Sequence, residues 1–364
     1  MGEIIRFTGD CVVLEELREY LDPTDYIDIV LHKRRILIYG QVQSGKTAAI
    51  LEAIQKPVYD KLQKIIVIQN SLLVLNQYQQ RLKDAGITYQ VIKKNTRNLA
   101  SDVLILMNNK ARYAKYCKLT ASNTATPPKY VLFMDECDSY YKGTHPLAKN
   151  AVHEYYITAT PRNKQYMTPG FFHTVERIPA SSEYKGMHHI DIEYSDSPVI
   201  SVVEKFTREI PTGMLLINAY RYIAEMECVG RMLSYHYEEI PIVLLNSERK
   251  IFYRGKTMVL KYMSIAAIID RLKSLPHVIF ISNRMSLRGL SYCSSDYTRH
   301  LTHQYSNFSD GITITNSLQR MRLLGKYGDD TPLKLIVPTS NESKIMSMFD
   351  ALDMEFTTCR TFTL

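Results

Sequence analysis

Gly40-Gln-Val-Gln-Ser-Gly45-Lys46-Thr47 fits the pattern G-x-x-x-x-G-K-T and lies between an apolar run at 36–39 and a helical stretch at 48–54. A strand, a glycine-rich turn and a helix start in that order constrain the fold to an α/β layer with an anion cradle at its edge. Gly40 and Gly45 let backbone N–H groups turn inward around a phosphate, with Gln43 and Ser44 inside the same loop. The helix N-terminus adds its partial positive charge. Lys46 is expected to reach the β- and γ-phosphates, and the Thr47 hydroxyl to ligate Mg²⁺. The expected ligands are therefore a nucleoside triphosphate, ATP, and magnesium.

Short apolar runs alternate with helical patterns on both sides of a polar stretch. Runs at 36–39, 65–68, 103–107, 130–134 and 156–158 predict buried parallel strands, with a helix over 72–84. The stretch around 162–197 follows Pro161 and is punctuated by Pro169, Gly170, Pro179 and Gly186. A second series follows, with strands at 214–217, 242–245, 278–281 and 333–337 and helices near 219–233 and 264–275. The expected organisation is an N-terminal extension (1–34), a first α/β lobe (35–165), a linker region (166–210) and a second lobe (211–364).

A chain of 364 residues, 45% hydrophobic and 23% charged, has the composition of a globular protein with about two cores. No apolar run approaches a bilayer span, and Met1-Gly-Glu-Ile-Ile-Arg6 lacks a signal-peptide layout. An intracellular protein with no membrane partner is expected. Six cysteines are scattered without a C-x-x-C pair, which predicts reduced thiols and no structural metal. Glu183-Tyr-Lys185, His188-His189 and His300…His303 lack the companion ligands that a metal site needs. The net charge of +8 favours a polyanionic partner, with nucleic acid leading and a merely basic enzyme as the alternative.

Two further motifs carry chemistry. Tyr130-Val-Leu-Phe-Met-Asp135-Glu136-Cys-Asp138 is a buried strand tipped with acids. Asp135 can hold Mg²⁺, and Glu136 can orient and deprotonate an attacking water. Ile157-Thr158-Ala159-Thr160-Pro161 follows another apolar strand, and its hydroxyls can couple the acids to a neighbouring lobe. Alone, T-A-T-P is an ordinary turn.

Taken in order, G-x-x-x-x-G-K-T, D-E-x-D and T-A-T resemble the first-lobe motifs of superfamily 2 helicases. Val42-Gln43-Ser44-Gly45-Lys46-Thr47, followed by Gln77-Tyr-Gln-Gln-Arg81-Leu82, is similar to the V-Q-S-G-K-T helicase-like ATPases of large DNA viruses and of bacterial proteins beside predicted endonuclease modules. Met214–Asn218, Asn283-Arg-Met-Ser-Leu-Arg288-Gly289-Leu-Ser291 and Gln319-Arg-Met-Arg322-Leu-Leu-Gly325 resemble that family's second-lobe segments. Met321 stands where the family has Gly, and Leu287 interrupts its S-R-G run.

The resemblance implies two tandem RecA-like P-loop NTPase lobes with mainly parallel sheets and ATP between them. It implies that Arg322, with Arg288, stabilises the transferring phosphoryl group, and that Gln319 belongs to the nucleotide site. It further implies movement along or unwinding of nucleic acid, DNA favoured over RNA. Viral replication or transcription proteins would be partners, in host cytoplasm or nucleus. A nucleotide-gated switch that clamps nucleic acid or protein without unwinding is the alternative. Asn70, Ser71 and Gln77 sit where helicases touch the sugar–phosphate backbone. Arg112, Lys115 and Lys118, at helical spacing, form either a phosphate-facing stripe or a solvated basic face. Tyr140 and Tyr141 are stacking candidates whose ordinary reading is packing.

Overall fold

The computed structural model describes residues 34–40, 45–123, 128–139, 145–159, 171–178, 182–246, 248–260, 263–283, 290–308, 313–328 and 331–358. The chain divides into two compact units, one up to Ala180 and one from Ser181 onward.

The first unit is built on seven strands: β1 (Arg34–Tyr39), β2 (Gln63–Ile68), β3 (Gln90–Val91), β4 (Val103–Met107), β5 (Tyr130–Asp135), β6 (Ala151–Thr158) and β7 (Thr174–Arg177). Their order is β3-β4-β2-β5-β6-β1-β7, and every neighbouring pair is parallel. Parallel strands need crossover connections, supplied by α1 (Lys46–Ile54), α2 (Leu72–Asp84) and α3 (Lys110–Asn123). Covering both sheet faces requires unbroken apolar strands. Val-Leu-Ile-Leu-Met in β4 and Tyr-Val-Leu-Phe-Met-Asp in β5 are buried at every position. Helix α2 starts at Ser71, whose Oγ faces the Val74 amide at 3.5 Å. It carries Arg81 and Lys83 in its last turn, where cations suit the helix dipole.

The second unit begins with β8 (Tyr184–Lys185) and β9 (Asp191–Tyr194), followed by α4 (Val199–Glu209), β10 (Gly213–Asn218), α5 (Ile223–His236) and β11 (Ile242–Leu245). Next come β12 (Lys250–Tyr253), β13 (Lys256–Val259), α6 (Ile265–Arg271), β14 (His277–Ser282), β15 (His303–Ser306) and α7 (Ile314–Leu318). The unit closes with β16 (Gly325–Lys326), β17 (Lys334–Val337) and α8 (Glu342–Thr358). Its main sheet runs β13-β12-β11-β14-β10-β15-β17-β9, parallel from β11 to β9 and antiparallel through the β12–β13 hairpin. Arg254 and Gly255, both left-handed, make the hairpin turn. Strands β8 and β16 form a separate antiparallel pair.

Each unit has its own core, one around Val67, Leu106, Leu132 and Tyr156 and one around Phe206, Leu215, Leu244 and Ile279. Sheets that are mainly parallel, with helical crossovers, are the α/β class expected from the alternation in sequence. The polar stretch at 162–197 supplies β7 to the first sheet and β9 to the second. Short edge strands of mixed polarity such as Thr-Val-Glu-Arg carry no periodic signal. Among the described residues no helix is long and apolar enough to cross a membrane.

Candidate functional site

Three neighbouring strands of the first sheet bring the sequence motifs to one edge. In β5–β6–β1, Asp135 is level with Ile157, and Thr158 is level with Tyr39. Strand spacing puts the acid-tipped end of β5 about 10 Å from the end of β1, with the Thr158 end of β6 between them.

Gly45 caps α1 with φ 97° and ψ 11°. A Cβ there would meet nothing within 4 Å, so conformation and not space demands glycine. That turn delivers Lys46 as the first residue of α1, buried, with Nζ donating to the Gly40 carbonyl at 3.2 Å. Gln43 and Ser44 lie outside the described residues. Asp135 is only 5% exposed, and burial holds its carboxyl above the ordinary range. A hydrogen bond from Tyr78 and the charges of Lys46 and Arg81 act the other way. Glu136, 7% exposed, takes a left-handed backbone (φ 50°). That conformation costs a non-glycine residue about 1 kcal/mol or more. It turns the chain out of β5 at once, and the Glu136 amide donates to Asp135 Oδ1 at 3.1 Å.

Tyr78 enters this group from α2. It is 2% exposed, and its hydroxyl donates to Asp135 Oδ2 at 2.6 Å. Burial, and then the neighbouring carboxylate, push the phenol well above its ordinary pKa. Thr158 donates to Asp138 Oδ1 at 2.8 Å, which ties the T-A-T strand to the last acid of D-E-x-D. Ala159 is buried beside it, and Thr160 lies outside the described residues. The Thr47 hydroxyl and the Asp135 carboxylate are the hard oxygen donors that magnesium prefers, so the residues fit that ion.

In the second unit, Gln319 and Arg322 follow α7 and are both buried. Arg322 is 2% exposed and its Nη1 donates to the Leu290 carbonyl at 3.0 Å. Its amide donates to Gln304 Oε1 at 2.8 Å, while Gln304 Nε2 donates to the Arg320 carbonyl (2.8 Å) and to Ser306 Oγ (2.7 Å). Gln304 on β15 therefore fastens the 320–322 turn to the sheet. Met321, where the resemblance expects glycine, is fully buried. Arg288 lies outside the described residues, as do Tyr140 and Tyr141.

The residues expected at nucleic acid collect on adjacent strand ends of the first sheet. Asn109 Nδ2 donates to Asn70 Oδ1 at 3.1 Å, bridging the segments that follow β2 and β4. Asn109 Oδ1 also accepts from the Arg112 amide at 3.0 Å, and Ser71 spends its hydroxyl on the start of α2. Gln77 is half-buried on α2. On α3, Tyr113, Tyr116 and Leu119 face the core, and Arg112, Lys115 and Lys118 run one residue behind them. They form a stripe beside the buried face, half-buried at 112 and 115 and exposed at 118.

Sequence reasoning assigned no role to Tyr78, Asp138 or Gln304. Tyr78 left a signal, since a phenol within the apolar spacing Val74, Leu75, Tyr78, Leu82 must find a partner for its hydroxyl. Gln304 left none, because one glutamine in the largely polar stretch Thr302-His-Gln-Tyr-Ser306 is ambiguous.

No protein-family model matches the chain, and no curated protein matches it. Solved structures do. The DEAH/RHA helicase HrpB of Escherichia coli is similar at TM-score 0.59 and 12% identity, over 91% of this chain and 42% of HrpB. The chain therefore spans less than half of HrpB's length. Dbp5 of S. cerevisiae, solved bound to RNA and ADP BeF3, is similar at TM-score 0.59 and 12% identity, over 94% of this chain and 90% of Dbp5. At that identity the likeness is one of fold: tandem RecA-like α/β lobes.

Proposed function

We propose that the chain is an ATP-dependent nucleic-acid translocase or helicase. The observation that carries this reading is the alignment of three motif ends on β5–β6–β1, with Lys46, Asp135 and Glu136 buried together. Lys46 is proposed to bind the terminal phosphates of ATP. Glu136 is proposed to take the proton of the attacking water, with Asp135 and Thr47 holding magnesium. When bound, that ion neutralises charge on the β- and γ-phosphates. Burial suits these roles, because charge–charge attraction is stronger away from water. Thr158, through Asp138, is the proposed link between the acids and the rest of the protein. Arg288 and Arg322 are the proposed partners of the transferring phosphoryl group. The polynucleotide is proposed to run over Asn70, Ser71 and Gln77, with Arg112, Lys115 and Lys118 meeting its phosphates.

One observation favours the second reading, a nucleotide-gated switch that clamps nucleic acid or a protein partner without unwinding. The Arg322 guanidinium is buried on the Leu290 carbonyl, so its release would have to precede any catalytic use.

Phosphate release with and without single-stranded DNA, duplex DNA and RNA tests the proposal. Lys46→Ala should lower polynucleotide-stimulated hydrolysis by about 10²-fold or more. Stimulated hydrolysis that survives this substitution sinks the reading. A strand-displacement assay on the same polynucleotide separates motor from clamp.

A further inference from the structure

Tyr78 lies on α2, outside all three nucleotide motifs, yet it is bonded to the acid-tipped one. Its hydroxyl has one proton. A carboxylate can only accept, so that proton is given to Asp135 Oδ2, at 2.6 Å.

The Asp135 carboxylate is pinned at both oxygens, by Tyr78 at Oδ2 and by the Glu136 amide at Oδ1. Each of those oxygens keeps a second lone-pair direction. The phenol is itself held, because α2 buries Val74, Tyr78 and Leu82 along one face. Leucine or phenylalanine would fill that stripe without the cost of burying a hydroxyl.

We infer that Tyr78 is a positioning residue for the magnesium side of the nucleotide site. Its hydroxyl fixes Asp135 before the ion arrives. This rests on the reading of Lys46, Thr47 and Asp135 as a magnesium–nucleotide site.

Tyr78→Phe keeps the packed ring and removes only the hydroxyl. Binding of a fluorescent ADP analogue to the 364-residue chain would be measured in EDTA and across a magnesium titration. Mn²⁺ uptake by the ADP complex, followed by electron paramagnetic resonance, reads the ion directly. The expected result is affinity in EDTA within about twofold of wild type, since the phosphates rest on Lys46 and the loop. The magnesium or manganese concentration for half-saturation should rise about 10- to 100-fold, the usual effect of removing a hydrogen-bonding partner of a metal ligand. Unchanged or tighter metal binding by Tyr78→Phe overturns the inference and leaves the nucleotide site standing. Equal loss of binding in EDTA and in magnesium makes the phenol a structural prop and also overturns it. A wild-type chain that binds the nucleotide with no response to magnesium overturns the underlying site as well.

Discussion

His145 and His303 are imidazoles that the fold keeps neutral. His145 packs edge-on against Tyr113, its Nδ1 accepting from the Leu147 amide, and His303 lies under Phe206 with Nδ1 on the Thr302 hydroxyl. Burial brings each down to about 4, helped at His303 by the nearby Lys334 ammonium. An unfolded imidazole titrates near 6.5, so between about pH 6.5 and 4 the unfolded chain binds protons that the native one does not. Stability is therefore complete above that window and falls as the pH drops through it, on the order of 1–2 kcal/mol per histidine by pH 5. The buried carboxyls of Asp135 and Glu176, raised by burial, pull the other way. Urea unfolding at pH 7 and pH 5 isolates the histidine part when His303→Phe is compared with wild type. The variant should lose less on acidification, and an unaltered pH slope would refute the assignment. At this scale the sequence disclosed the residues with distinctive chemistry and concealed their partners. Lys46, Thr47, Asp135 and Glu136 are readable because phosphate binding demands those types at that spacing. Tyr78 and Gln304 act through contacts with residues 57 and 18 positions away, and no local pattern records such a contact.

Helix α5 shows what packing adds to propensity. Gly230 sits in its middle, where a glycine weakens a helix by about 1 kcal/mol relative to alanine. A Cβ at that position would meet Leu244 Cδ2 at 2.8 Å and Phe252 Cε2 at 3.1 Å, so the helix lies close against β11 and β12. Overpacking costs about 1–3 kcal/mol, which outweighs the gain in propensity. Gly230→Ala should thus destabilise the second unit by about 1 kcal/mol, read as a lower denaturation midpoint; a stabilised variant would mean that the helix can lift away. Elements with strong periodicity were readable: the spacing over 72–84 predicts α2 at its observed bounds, Leu72–Asp84. The expected helix near 219–233 starts later, at Ile223, because the Glu225 carboxylate accepts from the amides of Arg221 and Tyr222 and fixes the cap there. The β12–β13 hairpin escaped notice, since Lys-Ile-Phe-Tyr and Lys-Thr-Met-Val are too short and mixed to show alternation.

For the molecule as a whole, the excess of 45 basic over 37 acidic residues is the property that a polynucleotide would feel first. If a few lysines and arginines neutralise phosphates, each releases counterions, and affinity falls steeply with salt. Fluorescence anisotropy on single-stranded DNA should show binding about tenfold weaker or more at 200 mM than at 50 mM salt. A flat response would remove phosphate contacts from the proposed function. The α/β class was plain from the alternation of runs, whereas strand order was not, because pairing is decided between distant segments. That order has a consequence for how the chain is made. Strand β1, which leads into the phosphate loop, has only β6 and β7 as neighbours, and β6 begins about 110 residues after β1 ends. At ribosomal speed that interval lasts on the order of ten seconds. During it, β2, β4 and β5 can already pair with one another while β1 waits. The strand that carries the loop is the first of its sheet to leave the ribosome and among the last to be seated.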